Sequence, residues 1–170
     1  MDYLVMPHNA FLAGFPQYDK VVVGAAILQK HSPDTRILLL KRDADEKHYP
    51  GVFGIPGGKV DATDATIRDA IVREVADECA LIVTKITHAL SNFCYTTKSR
   101  VVLPPNDKGE EKMETVTKRC VHLGYVVEVE EGNVKTNAEE HSEGIWANRE
   151  EVGSLDMSIA MRDLVLEALA

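Results

Sequence analysis

The chain has 170 residues, a formal net charge of −8 and 45% apolar residues. This length is typical of one domain, and the apolar content excludes a wholly disordered protein. The negative charge argues against a protein that holds polymeric nucleic acid or an anionic membrane through bulk charge. A phosphate-bearing small molecule stays compatible with this acidity, because a divalent cation can lie between a carboxylate and a phosphate.

The cysteine pattern and the start of the chain bear on the compartment. Three cysteines, Cys79, Cys94 and Cys120, have no CxxC spacing, which predicts buried reduced thiols instead of a disulfide framework or a zinc site. The first residues lack the basic segment of a secretory signal, and no stretch approaches the ~18 apolar residues of a membrane span. We therefore expect a cytoplasmic protein without membrane contact.

Residues 1–19 form a predicted N-terminal arm in front of a single domain over residues 20–170. The arm is moderately apolar and ends at a Phe-Pro pair. Three roles are open for it. It could add an edge strand to a sheet, cover a substrate pocket, or contact a second copy in a homodimer.

Apolar patterning predicts strands that surround one early helix, with a second helix at the end. Strands are expected over residues 20–29, 36–42, 81–90, 92–97, 122–130 and 144–147. Helices are expected over residues 65–79, with Asp64 as N-cap, and 156–169. Loops are expected over residues 31–35, 43–59 and 104–114, the last as a hairpin loop or a mobile insertion. These elements predict an α+β fold, an α/β/α sandwich with a mixed β-sheet between helices.

The first predicted helix carries a cluster of acids, Glu74, Asp77 and Glu78. Residues three and four apart share one helix side, where like charges destabilise an isolated helix by a few tenths of a kcal/mol per pair. Arg73 can pair with Asp77 but cannot balance the whole cluster. Two interpretations are open, a solvated acidic face and a site for Mg²⁺ or Mn²⁺, which prefer carboxylate oxygens. A glycine pair before the helix would let a backbone carbonyl approach the same place.

The segment over residues 57–81, GGKVDATDATIRDAIVREVADECAL, resembles the Nudix box of the MutT-like Nudix hydrolase superfamily. That box reads G, five residues, E, seven residues, REUxEExGU, where U is aliphatic. The segment YPGVFGIPGG over residues 49–58 is similar to the family's PGxWxxPGG approach, with Phe53 in place of tryptophan. The segment EHSEGIW over residues 140–146 is similar to its EHxxxxW stretch. The resemblance covers roughly residues 20–165 and implies the Nudix fold.

The box departs from the family pattern in three places. One extra residue precedes Arg73, so that Asp64 or Asp61 stands where glutamate is usual and the loop must bulge. Asp77 replaces the first glutamate of the EE pair and is one methylene shorter. Ala80 replaces the glycine that ends the helix, where a left-handed conformation costs a non-glycine residue about 1 kcal/mol.

The resemblance implies hydrolysis of a small-molecule diphosphate, a nucleoside diphosphate derivative such as a nucleotide, dinucleotide or nucleotide sugar, by water attack on phosphorus. The implied Mg²⁺ or Mn²⁺ ligands are the Gly58 carbonyl, Glu74, Asp77 and Glu78. The implied catalytic residues are Glu74, Glu78, Arg73, which would orient a ligating carboxylate, and Glu140 as general base, with Glu139 and Glu143 as alternatives. The implied substrate contacts are Phe53, Gly57, Gly58 and Lys59.

Other interpretations remain for single residues and for the whole chain. His141 is expected to be a hydrogen-bonding support, and Phe53 and Trp146 more often pack than stack on a base. A repurposed protein acting on a prenyl or other non-nucleotide diphosphate is one alternative function. A non-catalytic ligand-binding module is another, and the departures in the box favour it.

Overall fold

The computed structural model describes residues 3–30, 34–46 and 48–170. The helices are α1 (His8–Gly14), α2 (Ile67–Cys79), α3 (Arg149–Val152) and α4 (Ile159–Ala168), preceded by a 3-10 turn at Tyr3–Val5. The strands are β1 (Lys20–Lys30), β2 (Thr35–Arg42), β3 (Phe53–Gly54), β4 (Gly57–Lys59), β5 (Val83–Ala89), β6 (Phe93–Leu103), β7 (Lys112–Val129) and β8 (His141–Ala147). No helix in these described ranges is long and apolar enough to cross a membrane.

Strand β1 lies at the centre of a mixed sheet. It pairs in parallel with β7, where Gly24 faces Gly124, and antiparallel with β2 and β4. Strand β2 also pairs with β3 and β8, and β7 also pairs with β5 and β6. The sheet and its helices confirm the predicted α+β class.

Two apolar clusters cover the two faces of the sheet. In β2, Leu38 and Leu40 belong to one cluster, whereas Ile37 and Leu39 belong to the other, as the two-residue period of a strand requires. Helices α1 and α2 supply the first cluster, and α4 supplies the second through Leu164. The central strands are therefore buried on both faces, and this explains their nearly continuous apolar sequences.

The described part of the N-terminal arm, residues 3–19, packs against the domain with helix α1 and does not add an edge strand. Phe11 of α1 is 2% exposed, and its ring meets those of Tyr3 and Phe15 at 5.2 and 4.7 Å. The backbone N–H of Ile67, the first residue of α2, donates to the Met6 carbonyl at 2.9 Å. The arm thus contacts the helix that carries the acidic cluster, and the homodimer stays a prediction.

The hairpin of β6 and β7 is longer than the sequence predicts. Strand β6 continues to Leu103, and β7 begins at Lys112 where a loop over 104–114 was expected, with the strand only from residue 122. The predicted hairpin loop is confirmed over residues 104–111, whereas the predicted strand bounds are wrong. The distal half of the hairpin is exposed on both faces and lacks an apolar alternation, as at Val102 and Met113. The predicted turn at 31–35 falls partly on residues 31–33, outside the described residues.

Candidate active site

Helix α2 begins at Ile67, two residues later than predicted. The N-cap is Thr66, whose Oγ1 accepts the backbone N–H of Asp69 at 3.3 Å. The predicted cap, Asp64, is wrong, since its carboxylate lies in the preceding bulge and accepts the Asp61 N–H at 2.8 Å. At the other end, Ala80 has φ 55° and ψ 35°, and its N–H donates to the Ala76 carbonyl at 3.0 Å. This confirms the predicted left-handed helix end.

Arg73 joins the bulge to the acidic cluster. Its guanidinium donates to both Asp64 oxygens at 2.9 Å each, and to Glu74 Oε1 at 2.8 Å. It also donates to the Lys59 carbonyl at 3.1 Å, whereas Asp77 is 4.0 Å away. The Arg73 guanidinium lowers the pKa of Asp64, which is 8% exposed. Of the two acids, Asp64 and not Asp61 therefore makes the close pair with Arg73, since Asp61 lies 3.9 Å away.

The Glu74 carboxylate lies against the Gly58 backbone. A Cβ at Gly58 would lie 2.6 Å from Glu74 Oε1, so only glycine permits this approach. Burial raises the pKa of Glu74 to about 7, the hydrogen bond from Arg73 opposes this, and the negative charges of Glu78 and Glu140 raise the pKa further. These carboxylates therefore crowd together with too little positive charge among them.

Glu78 is held at both of its oxygens. Oε2 accepts the Gly57 backbone N–H at 2.7 Å, and Oε1 lies 2.7 Å from His141 Nε2. A carboxylate only accepts, so His141 donates from Nε2. Glu78 is 2% and His141 6% exposed, and β8 brings the histidine here across 63 residues of sequence. The position of His141 is that of a hydrogen-bonding support for Glu78.

This donor set fits a divalent cation. Glu78 and exposed Glu140 each present a carboxylate oxygen here, within 4.8 Å of each other and of a ring nitrogen of His141. Glu74 adds a partly buried carboxylate whose ionisation a nearby cation would favour, since opposite charge offsets the cost of burial. Mg²⁺ and Mn²⁺ prefer such oxygen ligands. Asp77 is peripheral, with 62% of its side chain exposed.

The remaining predicted residues lie around this cluster. Lys59 is exposed, and its Nζ is 3.9 Å from Asp61 Oδ1, so it makes a solvent-screened pair. Phe53 is 7% exposed and packs in the core cluster with α4, and Trp146 packs partly buried against the other cluster. Cys94 is exposed, so the expectation of buried thiols holds only for Cys79 and Cys120.

A cavity of about 230 Å³ adjoins the carboxylates, and its lining includes predicted Phe53 and Gly57. Residues that the sequence did not single out complete its aromatic and polar walls: Arg42, Tyr49, Phe93, Tyr95 and His122. These residues come from strands and a loop far apart in sequence. The sequence near His122 offers one local signal, a histidine within the apolar run of β7. A histidine in such a run is common in ordinary cores and does not by itself indicate a site.

The sequence profile of the NUDIX domain family matches residues 19–167. Nudix hydrolase 7 of Caenorhabditis elegans is 38% identical over 65 residues, which are 36% of this chain and 22% of that protein. The chain thus matches about a fifth of that relative's length.

Solved structures share the fold. The MutT NUDIX hydrolase of Burkholderia pseudomallei has a TM-score of 0.61 at 23% identity, covering 87% of this chain and 96% of that one. The NUDIX domain of Shewanella oneidensis NrtR, solved with ADP ribose, has a TM-score of 0.64 at 17% identity, covering 87% and 84%. A C. elegans Ap4A hydrolase has a TM-score of 0.58 at 16% identity, covering 87% and 93%.

Proposed function

This chain belongs to the NUDIX domain family, and we propose that it hydrolyses a diphosphate linkage in a nucleoside diphosphate derivative with Mg²⁺ or Mn²⁺. The grouping of buried Glu78 with Glu140 within 4.8 Å, beside partly buried Glu74 of α2, carries the proposal. A merely solvated acidic face would leave these carboxylates exposed, whereas Glu78 is 2% exposed. The departures in the box are accommodated, since Asp64 in the bulge pairs with Arg73.

The metal ligands in this proposal are the Gly58 carbonyl, Glu74 and Glu78, with Asp77 assisting through water. Arg73 orients Glu74, and the Gly57 amide and His141 orient Glu78. When bound, the cation would neutralise the diphosphate and polarise the phosphorus–oxygen bond.

Glu140 is the proposed general base. Its exposed carboxylate lies beside Glu78 and can take a proton from the attacking water. Phe53, Gly57, Gly58 and Lys59 are the proposed substrate contacts, Phe53 and Gly57 through the cavity and Lys59 as a charge near phosphate. Glu139 and Glu143 remain alternatives for the base, and the three variants Glu139→Gln, Glu140→Gln and Glu143→Gln would separate them by which one loses the hydrolysis rate.

Two of the similar solved structures suggest which substrates to test first. The NrtR domain was solved with ADP ribose, and the nematode structure is named an Ap4A hydrolase. We therefore propose ADP-ribose, diadenosine tetraphosphate, nucleoside triphosphates, nucleotide sugars and geranyl diphosphate as a panel. Phosphate-containing products are quantified with Mg²⁺, with Mn²⁺ and with a chelator.

The decisive variants are Glu74→Gln and Glu78→Gln. Each should abolish turnover of the substrate found in the panel while the far-ultraviolet circular dichroism stays that of the wild type. Glu128→Gln, an exposed glutamate on β7, is the matched control and should keep the full rate. No turnover on any compound, together with undiminished ligand binding in Glu78→Gln, would overturn the hydrolase proposal in favour of a binding module.

A further inference from the structure

The cavity and the carboxylate cluster share a wall. Gly57 and His141 line the cavity, and both also hydrogen-bond to Glu78, at 2.7 Å each. A ligand whose phosphates lie at the carboxylates can therefore place another part of itself in the cavity. The chemical group that fits this cavity is therefore a candidate for the group to which the diphosphate is linked.

Size and lining restrict that group. At about 230 Å³ the cavity is smaller than the ~300–1,000 Å³ pockets that bury a whole drug-sized ligand. It therefore suits one ring system instead of an entire nucleotide. Aromatic side chains line it, and no carboxylate is among the described lining residues. The charge of Arg42 is balanced by Glu46 at 2.9 Å, so a cationic ring would find no free counterion in this lining.

Two ring nitrogens in this lining, Nδ1 of His141 and Nδ1 of His122, have no hydrogen-bond partner among the described residues, and only that of His122 lies outside the carboxylate cluster. His122 is 5% exposed, and its Nδ1 has no hydrogen-bond partner in the part of the chain that the structure describes. The ring stacks on Phe93 at 4.6 Å with 9° between the planes. On another side it packs on Gly24, where a Cβ would lie 2.6 Å from the His122 Cε1. The imidazole is thus fixed in orientation, and burial lowers its pKa to about 4, which keeps it neutral.

A neutral imidazole has one donor and one acceptor nitrogen, and leaving a buried polar atom unpaired costs about 1–3 kcal/mol. A ligand with a polar ring atom can recover part of this cost. An all-carbon chain such as a prenyl tail cannot, although the aromatic walls would accept it. The unpaired nitrogen therefore favours a heteroaromatic ring over an aliphatic group.

We propose that this cavity binds the uncharged heteroaromatic ring of the substrate, a nucleobase, and that His122 selects it through a hydrogen bond to the ring. The inference rests on the proposed function for the diphosphate end of the ligand. It assigns His122 as a specificity-determining residue that takes no part in hydrolysis. Phe93 supports it by fixing the imidazole plane.

The first test uses the wild-type protein without metal, so it does not depend on turnover. Adenosine, guanosine, cytidine and uridine 5′-monophosphates are titrated while the ¹H–¹³C signal of the His122 imidazole is recorded. At least one nucleotide should shift this signal saturably, whereas geranyl monophosphate should leave it unchanged. A shift with geranyl monophosphate and with none of the nucleotides would overturn the inference.

The second test compares an apolar with a polar substitution of His122. His122→Leu removes the hydrogen bond and should weaken the best nucleotide's Kd roughly tenfold, the size of one neutral hydrogen bond. His122→Asn keeps a donor and an acceptor and should stay within about threefold of the wild type. His88→Leu, at an exposed histidine on β5, is the matched control and should bind as the wild type does.

The outcomes separate this inference from the proposed function. Equal nucleotide affinity in His122→Leu and the wild type, with normal diphosphate hydrolysis, would overturn the assignment of His122 alone. A His122-dependent nucleotide Kd without turnover of any diphosphate would support the ring site and overturn the hydrolase proposal. Should His122→Leu fail to fold, the wild-type titration still decides.

Discussion

His141 Nε2 lies 2.7 Å from Glu78 Oε1, and both side chains are buried. The second Glu78 oxygen accepts the Gly57 amide. These two donors fix the plane of a carboxylate that would otherwise rotate about its terminal torsion. The cation affinity of the cluster should therefore depend on a histidine that does not have to be a ligand itself.

Replacing His141 by alanine should weaken Mn²⁺ binding about 10- to 100-fold, because Glu78 loses its orienting donor. Isothermal titration calorimetry of the purified protein measures this directly. His141→Gln, which can donate through its side-chain amide, should recover part of the loss. His88→Ala serves as the control, and unchanged affinity in His141→Ala would show that Glu78 needs no such support.

Asp64 and Asp61 offer a matched pair for the bulge. Asp64→Asn breaks a two-bond pair with Arg73 and should lower the free energy of unfolding by about 1–3 kcal/mol, since the site is largely buried. Asp61→Asn should change it by less than about 0.5 kcal/mol, because Asp61 is half-exposed and lies 3.9 Å from Arg73. Urea denaturation measures both. Equal losses would mean that the bulge does not distinguish the two acids.

Ala80→Gly should stabilise the protein by up to about 1 kcal/mol, because glycine adopts the left-handed conformation without steric cost. The φ of 55° at Ala80 is the reason. Ala76→Gly, in the exposed interior of the same helix, should instead cost about 1 kcal/mol. Thermal and urea unfolding of both variants provide the comparison, and destabilisation by both would contradict a left-handed helix end.

Acid should destabilise the metal-free wild type more than His122→Leu. The folded-state pKa of His122 is about 4, below its usual 6.5, so the unfolded chain binds a proton between these values that the folded chain excludes. Stability is therefore lost as the pH falls from about 6.5 to 4. The wild type should lose up to about 3 kcal/mol more than the variant across this window.

Urea denaturation of both proteins at several pH values tests this difference. The two proteins share all their carboxylates, so the contribution of these groups to the pH dependence of stability cancels in the comparison. His122→Asn, which also lacks the titrating group, should follow the leucine variant. Parallel curves for all three proteins would show that His122 titrates normally in the folded state.

The sequence predicted the parts of the site that depend on local spacing. Glu74, Asp77 and Glu78 are carried by one helix, so their proximity follows from a 3.6-residue period. The left-handed Ala80 followed from the family's glycine at that position. The cap was wrong because Asp64 and Thr66 are both favoured N-cap residues, and only the fold decides that Asp64 pairs with Arg73 instead.

Local spacing could not predict the contacts between residues that lie far apart in the sequence. His141 meets Glu78 through the pairing of β2 with β8, and no periodicity in the sequence encodes that register. His122 likewise stacks on Phe93 through the pairing of β6 with β7, a contact between segments that local spacing does not predict. The distal hairpin was missed for a different reason, since exposed strands lack the apolar alternation by which strands are recognised.

The Gly57 peptide lies between the two halves of the site, with its N–H on Glu78 and its backbone along the cavity. Its amide resonance should therefore respond to Mg²⁺ added alone and to a nucleoside monophosphate added alone. The ¹⁵N-labelled amide of Gly57 can therefore report whether the metal site is occupied and whether the cavity is occupied. It would also report whether filling one half changes the affinity of the other, without any turnover being measured.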